Sequence, residues 1–323
     1  MISADLLARL DRHVVGRRRE VELVLAALDA DRHVLLEGPP GTGKSTLLRA
    51  VAQEMELGFE FVEGNAELTP ARLVGHFDPA RVLSDGYDPD VFVDGPLISA
   101  MREGSLLYVE EINRIPEETL NVLITVMSER ELHVPRLGRV AAASGFRLVA
   151  AMNPFDAIGT ARISGAVYDR VCRLSVSYQS AAEESAIVQR SIAAASSGAT
   201  SAVAPVSNEW IGKAVEVVRR TRDHSELRVG SSVRGAIDAS AVAASLASLR
   251  GVEADNAAVG LDAALVALSG RVRVREGGSR TSEQIIAELW QEVFGRVENG
   301  DDDGSDQGGG SGKVPAPMGA SLQ

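Results

Sequence analysis

Through the first half of the chain, short aliphatic and β-branched runs alternate with stretches whose apolar residues recur every three or four positions. Runs at 33–37, 59–62, 106–109, 146–151 and 173–177 predict buried strands. Between them the helical period predicts helices near 6–10, 18–28, 44–55, 96–101 and 117–128. Pro116-Glu117-Glu118 places a proline and two acids at a helix start, where orphan N–H groups and the dipole favour them. Strands separated by helices in this rhythm predict an α/β fold, a doubly wound parallel sheet covered by helices. Two insertions interrupt it. One, at 77–92, has Asp, Gly, Tyr and Pro around a candidate hairpin, and the other, at 131–145, reads as a hairpin turning near Leu137-Gly138.

From about Ala181 the pattern becomes alanine-rich and helical, in stretches 183–195, 208–222, 231–249, 255–268 and 281–294. The chain therefore divides into an α/β domain at 1–180, an all-helical domain at 181–295 and a tail at 296–323. The tail is rich in Gly, Asp and Ser with almost nothing to bury, and is expected to be disordered. The length of 323 residues accommodates two domains. With only 4% aromatic residues, the cores must be built from Leu, Val, Ile and Ala.

Charge and cysteine content narrow the function. With 45 acidic and 33 basic residues the net charge is −12, which repels nucleic-acid phosphates and anionic lipid unless basic side chains are concentrated locally. The single cysteine, Cys172, excludes an intramolecular disulfide and fits a reducing compartment; beside a strand it is expected to be buried. No run approaches the roughly 20 apolar residues of a membrane span, and Met1–Asp5 lacks the basic start of a signal peptide. A cytoplasmic location without membrane contact is the expectation.

The chemistry concentrates at Gly38-Pro39-Pro40-Gly41-Thr42-Gly43-Lys44-Ser45, followed by Thr46. It matches G-x-x-x-x-G-K-[ST], with an apolar strand running in and a helix running out. Glycines let successive N–H groups point at phosphate oxygens, Lys44 reaches the β- and γ-phosphates, and the Ser45 hydroxyl ligates Mg²⁺. About sixty residues on, Glu110-Glu111 ends an apolar strand. Glu110 is assigned to the metal side, where aspartate is usual, and Glu111 to the attacking water; two solvated acids at a strand end is the bland alternative. His76, His133 and His224 lack metal-ligand spacing. Arg17-Arg18-Arg19 reads as a solvated helix start, and Arg136 and Arg139 as either substrate-facing or solvated loop residues.

GPPGTGKS, LLYVEEINRIPEETLNVLITVMSERELHVP, LVAAMNPFD, AVYDRVCRL and SGRVRVREGGSRTSEQIIAELW, in this order, resemble the AAA+ ATPases of the MoxR family over roughly 10–295. The resemblance implies a P-loop ATPase domain with a C-terminal helical lid, acting on ATP with Mg²⁺. It implies Asn153 as a polar sensor near the γ-phosphate, Arg170 as a finger reaching a neighbouring subunit's nucleotide, and Arg234 as a lid sensor, with Arg228 close by. Val15-Gly16 would form part of the adenine pocket. Arg114 would be a second interface arginine or a helix-cap partner. The implied partners are further copies of the chain, in a ring expected to be a hexamer, a protein client, and a von Willebrand factor A-type protein. The implied function is chaperone-like remodelling or activation of a client protein or metalloenzyme. A nucleic-acid motor, a weakly hydrolysing scaffold and a chelatase subunit are the rivals.

Overall fold

The computed structural model describes residues 4–154, 163–198 and 205–295; the predicted tail at 296–323 lies outside them. The chain opens with α1 (Ala4–His13) and α2 (Arg18–Asp29), then β1 (His33–Glu37), α3 (Lys44–Glu54) and β2 (Phe59–Glu63). The first insertion follows as α4 (Pro70–Val74), β3 (Gly75–Phe77), α5 (Pro79–Asp85) and β4 (Phe92–Asp94). Next come α6 (Pro96–Glu103), β5 (Leu106–Glu110), α7 (Glu117–Glu129), β6 (Glu131–Val134), β7 (Gly138–Ala141) and β8 (Arg147–Met152). A short α8 (Gly165–Tyr168) leads into β9 (Val171–Ser175).

Five of these strands make one parallel sheet in the order β2-β5-β8-β1-β9. Residues alternate between its faces. Val34, Leu36, Tyr108 and Val149 pack with α1, α2 and α3, whereas Leu35, Val109, Leu148 and Ala150 pack with α4, α6 and α7. Because both faces are covered, β1 and β8 are buried at every position, which is why their sequences read as unbroken apolar runs. β9 lies at the sheet edge and is half open. Cys172, on that edge strand, is exposed rather than buried, because a strand paired on one side only leaves part of its surface uncovered.

Both insertions project as antiparallel pairs. β6 and β7 form the expected hairpin, with Val134 opposite Gly138. The first insertion is more than a hairpin: β3 pairs with β4, but Asp78 caps a helix, α5, between them. Asp-Pro supplies an N-cap and an N1 residue, the combination that starts a helix rather than a turn.

The remainder is α9 (Ala181–Gly198), α10 (Asn208–Asp223), β10 (Leu227–Val229), α11 (Val233–Arg250), α12 (Ala257–Leu268), β11 (Arg273–Val274) and α13 (Ser282–Phe294). These helices enclose a second core around Trp210, Trp290, Ala239, Ala243 and Ala263. Small residues on α11 and α12 let the two helices approach closely. A ribbon of β10 and β11 joins the helices; strands of two or three residues are too short for an alternating pattern to reveal them. Among the described residues no helix is long and apolar enough to cross a membrane.

Candidate functional site: a phosphate-loop cavity

β1 delivers the chain into a loop that enters the left-handed region twice, at Gly41 and Gly43, where glycine is favoured. Gly43 sits at φ 82°, the left-handed region, immediately before α3. The loop thus turns its amides onto a helix N-terminus, a ready anion site. A cavity of about 100 Å³ opens there, walled by Pro40 to Thr46, Glu110, Glu111, Met152, Asn153 and Arg234. Residues from four elements and two cores therefore converge on one space.

Lys44 is 9% exposed, and its Nζ donates to the carbonyls of Gly38 (2.8 Å) and Pro39 (2.9 Å). Burial pulls its pKa down to about 8, against an opposing attraction from Glu110 and Glu111. Gly38 and Pro39 thus hold the lysine from behind and do not wall the cavity. Ser45 Oγ donates to Glu110 Oε1 at 2.8 Å and lies 3.0 Å from the Tyr108 hydroxyl. A hydroxyl and a carboxylate oxygen side by side are the donor types a hard divalent cation takes, so Ser45 and Glu110 fit magnesium.

Glu111 is the first residue past β5, at φ 55°. Its Oε2 makes no hydrogen bond but lies 3.1 Å from Arg114 Nε, an ion pair of poor angular geometry. Asn153 follows the last residue of β8, and its carbonyl lies 3.5 Å from Asn113 Nδ2. Arg234 stands in the first turn of α11 and lines both this cavity and a neighbouring one of about 250 Å³. Arg228 is exposed on β10 and lines neither.

The second cavity is walled by Val15, Thr46, Gln179, Ile187, Val233 and Ile237. Apolar walls beside the phosphate loop suit a nucleoside. Val15 takes part; Gly16 lies behind it, packed on Glu183.

Residues 33–171 match the AAA domain (dynein-related subfamily). Over that stretch the chain is similar to an AAA domain. A protein of Staphylococcus epidermidis is 36% identical over 155 residues, covering 47% of this chain and 58% of that relative. A Staphylococcus aureus protein is 35% identical with the same coverage, and both relatives are uncharacterised. The chain thus spans little more than half the length of the curated relatives it matches. Among solved structures, a point mutant of Thermotoga maritima RuvB overlays with a TM-score of 0.54 at 18% identity, covering 80% of this chain and 72% of that one. The RuvB Holliday junction branch migration motor of the same organism gives 0.52 at 16%, covering 78% and 70%. These likenesses establish the AAA+ P-loop fold.

Within the matched stretch one expected site residue stands apart. Arg170 precedes Val171, which pairs with His33 at the start of β1, whereas the phosphate loop follows Glu37 at its end. Four residue steps of about 3.3 Å separate the two ends by about 13 Å. Arg170 donates instead to Ser128 Oγ and to the Ala166 carbonyl (2.8 Å) and lines an open depression with Asp31 and Cys172. The two ends are nevertheless linked: the Tyr168 hydroxyl donates to buried Glu37 at 2.7 Å, and Arg173 pairs with the same carboxylate.

Three participants escaped sequence reading. Tyr108, in an apolar strand run, resembles core yet meets Ser45. Gln179 is 8% exposed and lines the nucleoside-sized cavity. Arg17 is not the solvated residue expected: it is 3% exposed and donates to the Thr42 carbonyl. Its neighbours Arg18 and Arg19 do face solvent. Only the position of Arg17, directly after Val15-Gly16, could have suggested a role.

Proposed function

We propose that the chain is a Mg-ATP hydrolase that works as a ring and remodels a protein partner, in the manner of MoxR-family AAA+ ATPases. The observation that carries the reading is the convergence of Lys44, Ser45, Glu110, Glu111, Asn153 and Arg234 on one cavity, with Arg170 held at the far end of β1. Lys44 and the amides of 41–46 bind the phosphates; Val15 and the apolar wall take the base, with Gly16 backing Val15. Ser45 and Glu110 would hold magnesium, which when bound neutralises phosphate charge. The Glu111 carboxylate orients water and accepts its proton, with Asn153 between it and the γ-phosphate. Arg170 cannot reach its own chain's phosphates across that separation, which supports a role at a neighbour's site and a site completed only by assembly. A trans arginine contributes about 10³–10⁵ in rate.

The client, a von Willebrand factor A-type partner, six-fold assembly and a cytoplasmic setting belong to the same proposal. The direct contact of Glu110 with Ser45 favours hydrolysis over a scaffold that merely binds ATP. The likeness to RuvB raises the nucleic-acid motor, against which the net charge of −12 counts.

Steady-state ATP hydrolysis against the protein's own concentration tests the reading. Specific activity should climb steeply and level off. Flat, negligible activity with nucleotide still bound would favour the scaffold, and stimulation by single-stranded DNA at physiological salt would favour the motor on nucleic acid.

A further inference from the structure

Arg17 lies inside the fold between three segments that are distant in sequence. Its Nη2 donates to the Thr42 carbonyl at 2.9 Å and to the Ser177 carbonyl, and its Nη1 to Glu20 at 2.9 Å. Its Nε is buried without a hydrogen-bond partner. Burying a guanidinium at 3% exposure is costly unless ion pairing and hydrogen bonds offset it, as Glu20 and the two carbonyls do here.

The Thr42 contact has a direct stereochemical effect. In a planar trans peptide the C=O and the following N–H point in opposite directions. Drawing the Thr42 oxygen inward to Arg17 turns the Gly43 N–H outward, and Gly43 lines the phosphate cavity. The charge of Arg17 is also felt at Lys44.

The Ser177 contact leads to the lid. Tyr178 carries the Arg222 guanidinium over its ring at 3.8 Å, and the Gln179 carbonyl accepts from Arg219 at 2.9 Å. Both arginines hold the fully buried Glu184 of α9, at 2.8 and 3.0 Å. Arg222 Nε then donates to the Ser231 carbonyl at 2.8 Å. The next residue, Ser232, lies so close to Gly41 that a Cβ there would come within 2.4 Å of its hydroxyl. The contacts therefore run from the phosphate loop through Arg17 into the segment before α9, through α10, and back to the loop.

We propose that Arg17 is a positioning residue that orients the Gly43 amide for phosphate and relays the state of the phosphate loop to the lid through Ser177. The relay rests on the reading of the cavity as a nucleotide site. A lysine at 17 keeps the charge, but its single ammonium cannot stand at once where Nη2 meets Thr42 and Ser177 and where Nη1 meets Glu20.

The test measures binding of a fluorescent ATP analogue by titration, together with the distance between spin labels at Cys172 and at Leu249→Cys on α11, in full-length chains diluted with unlabelled ones. In wild type the distance should change on adding ATP. Arg17→Lys should melt near the wild-type temperature, bind about tenfold more weakly, and lose half or more of the ATP-dependent distance change. Should Arg17→Lys not fold, Glu20→Gln, which loosens the same guanidinium, should move both readouts the same way by a smaller amount. Wild-type affinity and a full distance change in the variant would overturn the proposal and leave the nucleotide site standing. No ATP binding by the wild-type chain would overturn both, and binding without any distance change in wild type would overturn the relay.

Discussion

The carboxylate of Glu110, one methylene further out than that of the usual aspartate, reaches the Ser45 hydroxyl at 2.8 Å. Glu111, one residue on, turns away from the strand at positive φ and meets Arg114. If Glu111 acts on water and not on binding, its loss should separate the two steps. Glu111→Gln should keep ATP affinity and lose about 10²–10⁴ in turnover, measured by filter binding and phosphate release on the same preparation. A buried imidazole offers an independent check on the core. His33 accepts the Leu148 N–H at 2.9 Å, and burial, then the charge of Arg130, hold its pKa down to about 4. Unfolded, it titrates near 6.5, so the unfolded chain takes up the proton first. Its stabilisation is complete above about pH 6.5 and is lost as pH falls towards about 4, an effect on the order of 3 kcal/mol. Melting temperature should therefore drop over that interval, and His33→Gln should flatten the drop; an equally steep fall in the variant would contradict the assignment.

At the scale of elements, the two insertions meet. Arg136, at the β6–β7 turn, stacks over Tyr87 at 3.7 Å, while Tyr87 packs edge-on against Phe77. An exposed cation–π contact contributes only about 0.5–1 kcal/mol. Arg136→Ala should leave global melting almost unchanged and speed proteolytic cutting within 79–91 severalfold, read as loss of intact chain over time; unchanged cutting would show that the insertions move independently. The main strands and helices were legible because their apolar periods extend over five or more residues. The hairpin at 131–141 was legible from its turn. The β10–β11 ribbon and α5 were not: both depend on local capping or pairing that a few residues encode weakly. Arg17 was hidden for another reason. Two of its three partners are backbone carbonyls 25 and 160 positions away, and a carbonyl leaves no mark in a sequence. The phosphate loop was transparent because its geometry restricts residue type position by position.

For the whole molecule, the register of β1 with β9 is decisive, since it fixes the phosphate loop and Arg170 at opposite ends of one buried strand. If each site combines the loop of one chain with the arginine of another, Arg170→Ala and Lys44→Ala preparations, each inactive alone, should regain activity on mixing. An equal mixture makes roughly a quarter of the sites complete, so about that fraction of wild-type turnover is expected. Failure to recover any activity would place the arginine in cis or outside the reaction. The same separation bears on inheritance. On that arrangement a defect at Arg170 would fall on the neighbour's reaction, while the chain's own loop could still engage an intact arginine. In a cell carrying one sound and one altered copy, the broken sites would be scattered among mixed assemblies, wherever an altered chain supplies the arginine. Damage to the loop and damage to the arginine would then complement each other as though they lay in different genes.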